Sequence, residues 1–206
     1  MSNIEHVFAT SLYRAKLGGG RVKPFLDELR TACLAVAQED VAGRAWSQQA
    51  GYKGYTSYAS LDDLPERNPA FAELCARLEP HLAEFAQSLD FDLRGHRPAV
   101  DSLWINVLEP GGSHTGHIHT NSVLSGTIYV DVPDGASAIR FEDPRLAMMM
   151  AAPPRKARAE VQNRGFIYIQ PSPGAVLLWE SWLRHEVPVN MAREDRVSVS
   201  FNAVLV

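Results

Sequence analysis

Hydrophobic residues recur at helical spacing in the first half of the chain. Four of them follow one another at intervals of three or four residues: Phe25, Leu29, Cys33 and Val36. This spacing places them on one face of a helix, which we predict over residues 24–39. A second helix begins at Asn68-Pro69, where a capping residue precedes a first-turn proline, and extends to Leu89. Pro80 lies inside this segment and should kink or interrupt the helix.

From Val100 onward the pattern changes to short runs of alternating or continuous apolar residues. We predict strands over residues 103–108, 123–132, 138–141, 166–170, 175–179 and 197–206. Turn sequences such as Pro133-Asp134-Gly135 separate nearly all of them, as expected between antiparallel strands. The pattern predicts a mainly β protein with helices (α+β), in which a sandwich or jelly roll has the N-terminal helices packed outside it.

Two stretches have neither helical nor strand periodicity. Residues 46–58 are rich in Gly, Ser and aromatic residues, and we predict an ordered loop there. Residues 146–164 contain three consecutive methionines and end in a basic cluster. We predict that they form a long loop over the mouth of a site.

Length and composition favour one domain. The 206 residues are 46% hydrophobic and 21% charged, which is enough for one core and too little to require two. We therefore predict a single domain over residues 1–206, with a helical N-terminal part at 1–98 and the jelly-roll core at 99–206.

Charge and cysteine content restrict the partners and the compartment. A net charge of −4 and a pI near 6.0 provide no basic field for a phosphate backbone, so we expect no nucleic-acid partner. Cys33 and Cys75 lie in helical stretches, which favours free thiols and a cytoplasmic location over a disulfide framework. We expect neither a signal peptide nor a membrane span, because no apolar run approaches about 18 residues. The sequence is also compatible with a homodimer.

Histidines are the first candidate chemistry in the β half. His117 and His119 are two residues apart, so on an extended segment they would share a face and could reach one ion. His185 follows an apolar strand and a short turn, and indicates little by itself. His114 lies in a Gly-Gly loop, and we expect it to lie behind the ligands or to face solvent.

The last strand carries the second candidate. Arg196 opens a strict alternation that places Ser198, Ser200 and Asn202 on its own face, an arrangement suited to a buried carboxylate. The separation from His185, 196 − 185 = 11 residues, allows a turn and a neighbouring antiparallel strand. We therefore predict that His185 and Arg196 meet across one ladder.

Each feature also has a purely structural explanation. A histidine pair on a strand can be a polar surface pair or a hydrogen-bonded core pair, and an arginine in a final strand is commonly a solvated edge charge. What favours a functional site is the conjunction of a histidine pair, a distant histidine and an Arg-x-Ser strand, in that order, within one jelly roll.

This order resembles the 2-oxoglutarate and iron(II)-dependent oxygenase superfamily, whose cupin-like double-stranded β-helix carries H-x-D or H-x-E, a distal His and a downstream Arg. The chain is most similar to a branch known largely from bacterial and phage genomes that has an H-x-H metal motif. Four segments carry this resemblance: Trp104-Ile105-Asn106, His117-Ile118-His119, Ser125-Gly126-Thr127-Ile128-Tyr129 and Arg196 to Asn202. Weaker similarity extends to Ser47 and Gly51-Tyr52-Lys53-Gly54.

The resemblance implies an iron(II)- and 2-oxoglutarate-dependent dioxygenase. Such an enzyme consumes O₂, oxidises its substrate in a hydroxylase-type reaction and releases succinate and CO₂. The implied iron ligands are His117, His119 and His185. The implied residues of the 2-oxoglutarate pocket are Arg196, Ser198, Asn106 and Tyr129. Arg196 would pair with the distal carboxylate of 2-oxoglutarate with help from Ser198, whereas Tyr129 is explained equally well as an aromatic core residue.

His119 departs from the wider superfamily, in which a carboxylate completes a two-His, one-carboxylate face. Alternatively, Asp131 or Glu142 completes such a triad with two of the histidines, although neither lies in a matching motif. Two other functions stay open: a three-histidine cupin-type dioxygenase that does not use 2-oxoglutarate, and a non-catalytic metal-binding jelly roll. The sequence does not identify the primary substrate.

Overall fold

The computed structural model describes residues 2–206. The N-terminal half contains the helices α1 (Val22–Glu39), α2 (Val41–Gln49), α3 (Leu64–Arg67) and α4 (Pro69–Ser88). The strands are β1 (Tyr13–Lys16), β2 (Gly54–Thr56), β3 (Pro98–Leu108), β4 (His114–His117), β5 (Leu124–Asp131), β6 (Ile139–Glu142), β7 (Phe166–Ile169), β8 (Ala175–Glu180), β9 (His185–Val187) and β10 (Arg196–Leu205). Two short 3₁₀ helices, Leu146–Met148 and Val161–Asn163, lie in the long connection between β6 and β7.

The strands form two antiparallel sheets that face each other. The larger sheet has the order β1-β8-β5-β10-β3-β2, and the smaller has the order β4-β9-β6-β7. Side chains from both sheets meet in one buried cluster, for example Tyr129 and Trp179 of the larger sheet with Phe141 of the smaller. Two facing antiparallel sheets with helices outside confirm the predicted fold class.

Alternation along the larger sheet separates an apolar outer face from a polar inner face. On the outer face, residues such as Ile105, Val199 and Phe201 are fully buried in one core with α1 and α4. The inner-face residues of the same strands line the barrel interior, and they include Asn106, Thr127, Ser198 and Ser200. Because successive residues of a strand point to opposite faces, the alternation itself creates a polar interior beside an apolar core.

The predicted helices are present, but the interruption at Pro80 is wrong. α4 runs from Pro69 to Ser88 as one helix with Pro80 inside it. Leu78 and Leu82 flank the proline, and both are fully buried against the sheet. We attribute the continuity to this packing, which offsets the loss of the backbone hydrogen bond that a proline cannot donate.

The loop predicted over residues 46–58 is also wrong in part. α2 extends to Gln49, and its N-terminus is capped by Asp40, whose carboxylate accepts a hydrogen bond from the Gly43 amide at 2.9 Å. β2 joins the edge of the larger sheet, with Tyr55 opposite Val107. A three-residue strand is too short to show periodicity, so only its pairing reveals it.

Two further observations concern the chain as a whole. Cys33 and Cys75 are free thiols, as predicted. Within residues 2–206, no helix has both the length and the apolar character needed to cross a bilayer.

Candidate metal centre

Three histidines from different parts of the chain converge inside one end of the barrel. A nitrogen atom of each of His117, His119 and His185 lies within 4.8 Å of the corresponding atoms of the other two. The centroid of the His117 ring is 4.4 Å from that of His185 and 5.2 Å from that of His119. The structure thus brings together all three histidines that the sequence singled out.

Two of the three histidines lie on paired strands, and the third lies just beyond one of these strands. His117 is the last residue of β4 and pairs with His185, the first residue of β9. His119 lies two residues beyond the end of β4, before the turn at residues 120–121. The rings of His117 and His119 are stacked at 14°, so both point to the same side of the chain although His119 lies outside the strand.

Hydrogen bonds assign the same tautomer to all three rings. The Nδ1 atom of His117 lies 2.7 Å from the Thr115 carbonyl oxygen, and that of His185 lies 2.9 Å from the Leu183 carbonyl oxygen. The Nδ1 atom of His119 lies 2.5 Å from Oδ1 of Asn202. Because these oxygens can only accept, each Nδ1 donates its proton, which leaves Nε2 as the nitrogen available to a metal. Three imidazoles that present Nε2 in this way fit a divalent metal ion.

Burial favours the neutral form that metal binding requires. It lowers the pKa of His185 to about 3, assisted by the neighbouring His117, and it lowers the pKa of His119 below its ordinary value. Neutral imidazoles can bind a metal without first releasing a proton.

Neither alternative carboxylate joins the cluster. Asp131 pairs with Arg30, and Glu142 lies 3.3 Å from the guanidinium of Arg184. Within residues 2–206, the group with metal-ligand geometry contains the three histidines and no acidic side chain.

Arg196 lies in the same cavity as the histidines, but not where the sequence predicted. β10 pairs with β3 and β5 in the larger sheet, whereas β9 belongs to the smaller sheet. The expected ladder between His185 and Arg196 is therefore wrong. Both residues line one small cavity between the sheets, because β9 and β10 are consecutive strands that enter opposite walls of the barrel.

The Arg196 guanidinium is buried without a counter-charge. The residue is 2% exposed, and one guanidinium nitrogen donates to the Ser137 carbonyl oxygen at 3.1 Å. Its Nε–H has no partner within the described residues, and no carboxylate of residues 2–206 forms a salt bridge with it. A buried, unpaired cation is costly, so this cavity is suited to an anionic ligand.

The other predicted pocket residues also line this cavity. Ser198 is buried beside Arg196 on the inner face of β10, and Asn106 donates from Nδ2 to Ser200 Oγ at 3.1 Å. The ring centroid of Tyr129 is 5.6 Å from Cζ of Arg196, and burial raises the pKa of its hydroxyl to about 12. Asn106 Oδ1 lacks a partner within residues 2–206, as does Nε1 of Trp179, another residue of the cavity.

The sequence did not predict the partners of several polar residues near the histidines. Asn202 and Ser125 contact His119, and Ser125 also contacts Ser181. His114 bonds through Nε2 to the Tyr52 hydroxyl at 2.5 Å. The alternation along β10 already placed Asn202 on the same face as Arg196, but its partner could not be read from the sequence.

A second, larger cavity lies beside the centre. Its volume is about 630 Å³, and it is bounded by residues 5–12 and by the connection between β6 and β7 that the sequence predicted to cover a site. Phe141 and Leu183 line it. The Phe141 ring centroid is 5.9 Å from that of His185, whose Nδ1 donates to the Leu183 carbonyl oxygen. The two cavities therefore share a wall.

Comparison with protein families finds one match in the half of the chain that carries these residues. Residues 102–202 match the profile of a family described as "Putative 2OG-Fe(II) oxygenase". This segment begins in β3, ends in β10, and contains all three histidines and Arg196. No curated protein matches the chain in sequence.

Two solved structures share this fold at low sequence identity, and a third aligns with part of the chain. The epimerase SnoN from nogalamycin biosynthesis, solved with Fe³⁺, alpha ketoglutarate and nogalamycin RO, is 12% identical over 95% of this chain and 79% of its own, with a TM-score of 0.62. A Pseudomonas putida prolyl-4-hydroxylase is 12% identical over 95% and 94% of the two chains, with a TM-score of 0.57. An oxidoreductase of the 2OG-Fe(II) oxygenase family from Burkholderia pseudomallei aligns over 65% of this chain and 55% of its own (15% identity, TM-score 0.46).

Proposed function

We propose that this chain, which belongs to the 2-oxoglutarate and iron(II)-dependent oxygenase superfamily, is a hydroxylase-type dioxygenase. As a member of that superfamily, it is an oxidoreductase that uses iron(II), 2-oxoglutarate and O₂. In this function 2-oxoglutarate is converted to succinate and CO₂. His117, His119 and His185 hold iron(II) through their Nε2 atoms. Arg196 binds the distal carboxylate of 2-oxoglutarate.

The observation that supports the proposal is one cavity with cation-binding groups on one wall and an anion-binding group on the other. On one wall, three imidazoles present their Nε2 atoms to a cation. On the other wall, the buried guanidinium of Arg196 lacks an anion. A metal ion chelated by a dicarboxylate satisfies both walls at once, and the guanidinium matches a carboxylate with two parallel hydrogen bonds.

The other residues of the cavity have supporting roles in this proposal. Ser198 adds a hydroxyl beside Arg196, and Asn106 Oδ1 and the Trp179 N–H are free to bond to the ligand or to ordered water. When bound, iron(II) and 2-oxoglutarate supply the oxidising chemistry. The protein's contribution is to hold and orient them in one cavity.

We place the primary substrate in the larger cavity. Its volume of about 630 Å³ lies within the range of small-molecule sites, and it borders His185 through Phe141 and Leu183. In this proposal the metal and 2-oxoglutarate bind in the small cavity, so the primary substrate requires a space of its own.

An anaerobic titration tests the function. Purified protein is loaded with one equivalent of iron(II) without oxygen, and 2-oxoglutarate is added while the visible spectrum is recorded. Chelation of iron(II) by the 2-oxo acid should produce a charge-transfer band that saturates at one equivalent. Succinate, which lacks the 2-oxo group, serves as the control and should produce no band.

The outcome separates the alternatives. If iron is bound but no band develops and 2-oxoglutarate does not raise the unfolding temperature, the proposed function is wrong. The protein is then a three-histidine dioxygenase independent of 2-oxoglutarate or a non-catalytic metal protein. Oxygen uptake with candidate substrates then distinguishes these two, since only the dioxygenase consumes O₂.

A further inference from the structure

His119 is held by side chains, whereas the other two histidines are held by the backbone. The Nδ1 atoms of His117 and His185 donate to main-chain carbonyl oxygens of nearby residues. The Nδ1 atom of His119 donates instead to Oδ1 of Asn202, 83 residues away in sequence. Side-chain substitution can therefore remove the orienting bond of His119 alone.

The contact belongs to a closed network of buried and half-buried polar groups. Ser125 Oγ lies 3.1 Å from His119 Nδ1, and it donates to Oδ1 of Asn202 at 2.8 Å. It also lies 2.8 Å from Ser181 Oγ. Ser125 and Ser181 are 0% and 1% exposed, whereas His119 and Asn202 are half-buried.

Backbone features aim the network at the ring. Asn202 is directly opposite Ser125 in the ladder between β10 and β5, so their side chains lie next to each other on the same face. The His119 amide donates to the Ser181 carbonyl oxygen at 3.0 Å, which anchors the segment that carries the ring. The backbone of His119 is thereby attached to the same residue that anchors Ser125.

We propose that Asn202 and Ser125 are positioning residues that hold His119 in the orientation and tautomer needed to bind the metal through Nε2; this inference rests on the proposed function. Oδ1 of Asn202 accepts a hydrogen bond from Ser125 and faces the residue at position 119. The residue at position 119 must therefore donate a hydrogen bond to it. An imidazole donates through Nδ1–H and still binds metal through Nε2, whereas an ionised carboxylate only accepts. The network thus selects histidine at the position where the wider superfamily has a carboxylate.

Metal affinity of variants tests this role without turnover. Cobalt(II) is titrated into the metal-free protein and monitored by its visible absorption, with a chelator as competitor. Asn202→Leu keeps the side-chain volume but removes the acceptor, and it should lower cobalt(II) affinity about 10–100-fold, the usual effect of losing a group that orients a ligand histidine. Asn202→Asp retains an acceptor and should restore most of the affinity.

Two controls separate positioning from a structural role. Ser88→Ala, at the end of α4 and away from the cavity, removes a part-buried hydrogen bond to the Phe85 carbonyl oxygen but none to a histidine, and should leave cobalt(II) affinity unchanged. In the zinc(II)-loaded protein, ¹H–¹⁵N correlations of the histidine rings should show the proton of His119 on Nδ1, and Asn202→Leu should abolish that signal.

A milder variant carries the test if Asn202→Leu does not fold. Ser125→Ala should lower cobalt(II) affinity about three- to tenfold, the range expected for one neutral hydrogen bond. Unchanged affinity in the variants, with cobalt(II) bound by the wild type, would overturn this inference alone. No cobalt(II) binding by the wild type would overturn the proposed function as well.

Discussion

His117 and His185 are directly opposite each other in the ladder between β4 and β9, with their ring centroids 4.4 Å apart. Side chains opposite each other on paired strands point to the same face, so this pair is positioned by sheet formation itself. His119 is added from the segment that follows β4. The cluster is thus assembled from a rigid pair and one ligand that depends on its neighbours.

Removal of a member of the rigid pair should abolish metal binding. Metal analysis should find about one iron(II) per chain in the wild type and none in His117→Ala or His185→Ala, because each change removes a ligand that the ladder between β4 and β9 positions. His119→Ala leaves this pair intact and should retain weakened binding. His114→Ala is the matched control, since His114 lines the same cavity but lies outside the cluster. Full occupancy in His117→Ala would contradict the proposed ligand set.

Substitution of Arg196 should weaken 2-oxoglutarate binding without removing the metal. Arg196→Lys keeps the charge but loses the planar fork, and Arg196→Ala loses both, so the affinity should fall in that order. Truncation of one partner of a buried charged pair commonly costs about 2–5 kcal/mol, which corresponds to roughly thirtyfold or more in affinity. The anaerobic titration with 2-oxoglutarate measures the affinity of each variant. The exposed neighbour Arg193, changed to Ala, should behave as the wild type.

A methyl group at Gly126 should destabilise the fold. A Cβ atom there would lie 2.4 Å from Cζ of Phe201 and 2.6 Å from Cδ2 of Leu178, its neighbours on the adjacent strands. Phe201 is fully buried and cannot move away freely. We expect Gly126→Ala to cost about 1–3 kcal/mol in urea unfolding, the usual cost of overpacking.

Two variants check the cause of this effect. Phe201→Leu in the Gly126→Ala background should recover part of the loss, because it removes the contacted atoms. Gly18→Ala should be nearly neutral, since a Cβ at Gly18 has nothing within 4 Å. Equal costs at both glycines would argue against the steric explanation.

Asp40 should make stability depend on acid pH. Burial raises its pKa, but hydrogen bonds from Ser60, Gly43 and Tyr55 outweigh this effect and lower the pKa below its ordinary value. A carboxyl whose pKa is lowered by folding stabilises the protein above its unfolded pKa, about 3.9, and loses this contribution as the pH falls through its folded pKa.

Asp40→Asn should therefore cost about 1 kcal/mol at pH 7, because a neutral amide accepts these bonds more weakly than a carboxylate does, and progressively less below about pH 4. Urea unfolding of both proteins at pH 7 and pH 3 measures the difference. Asp27→Asn is the control, because the ion pair of Asp27 with Lys23 is exposed and should contribute little. A difference that grows at low pH would have the wrong sign for this explanation.

Some elements were accessible to sequence reasoning because their pattern is local. α1 has its buried side chains at three- and four-residue spacing, and the alternation in β10 put Arg196 and Ser198 on one face, where the structure has them. β2 and β9 were not predicted, because three residues are too few to show a period. Such strands form only because a longer neighbour offers them hydrogen bonds.

The sequence by itself determined the fold class, the three converging histidines and the arginine that shares their cavity, because periodicity and residue type report burial and chemical capacity. Only the tertiary structure decided that His185 and Arg196 lie on opposite walls rather than on one ladder. It also decided that Asn202 and Ser125, opposite each other on neighbouring strands, contact His119. Pairing between strands and the partner of each side chain depend on non-local contacts, which the local pattern of a chain does not record.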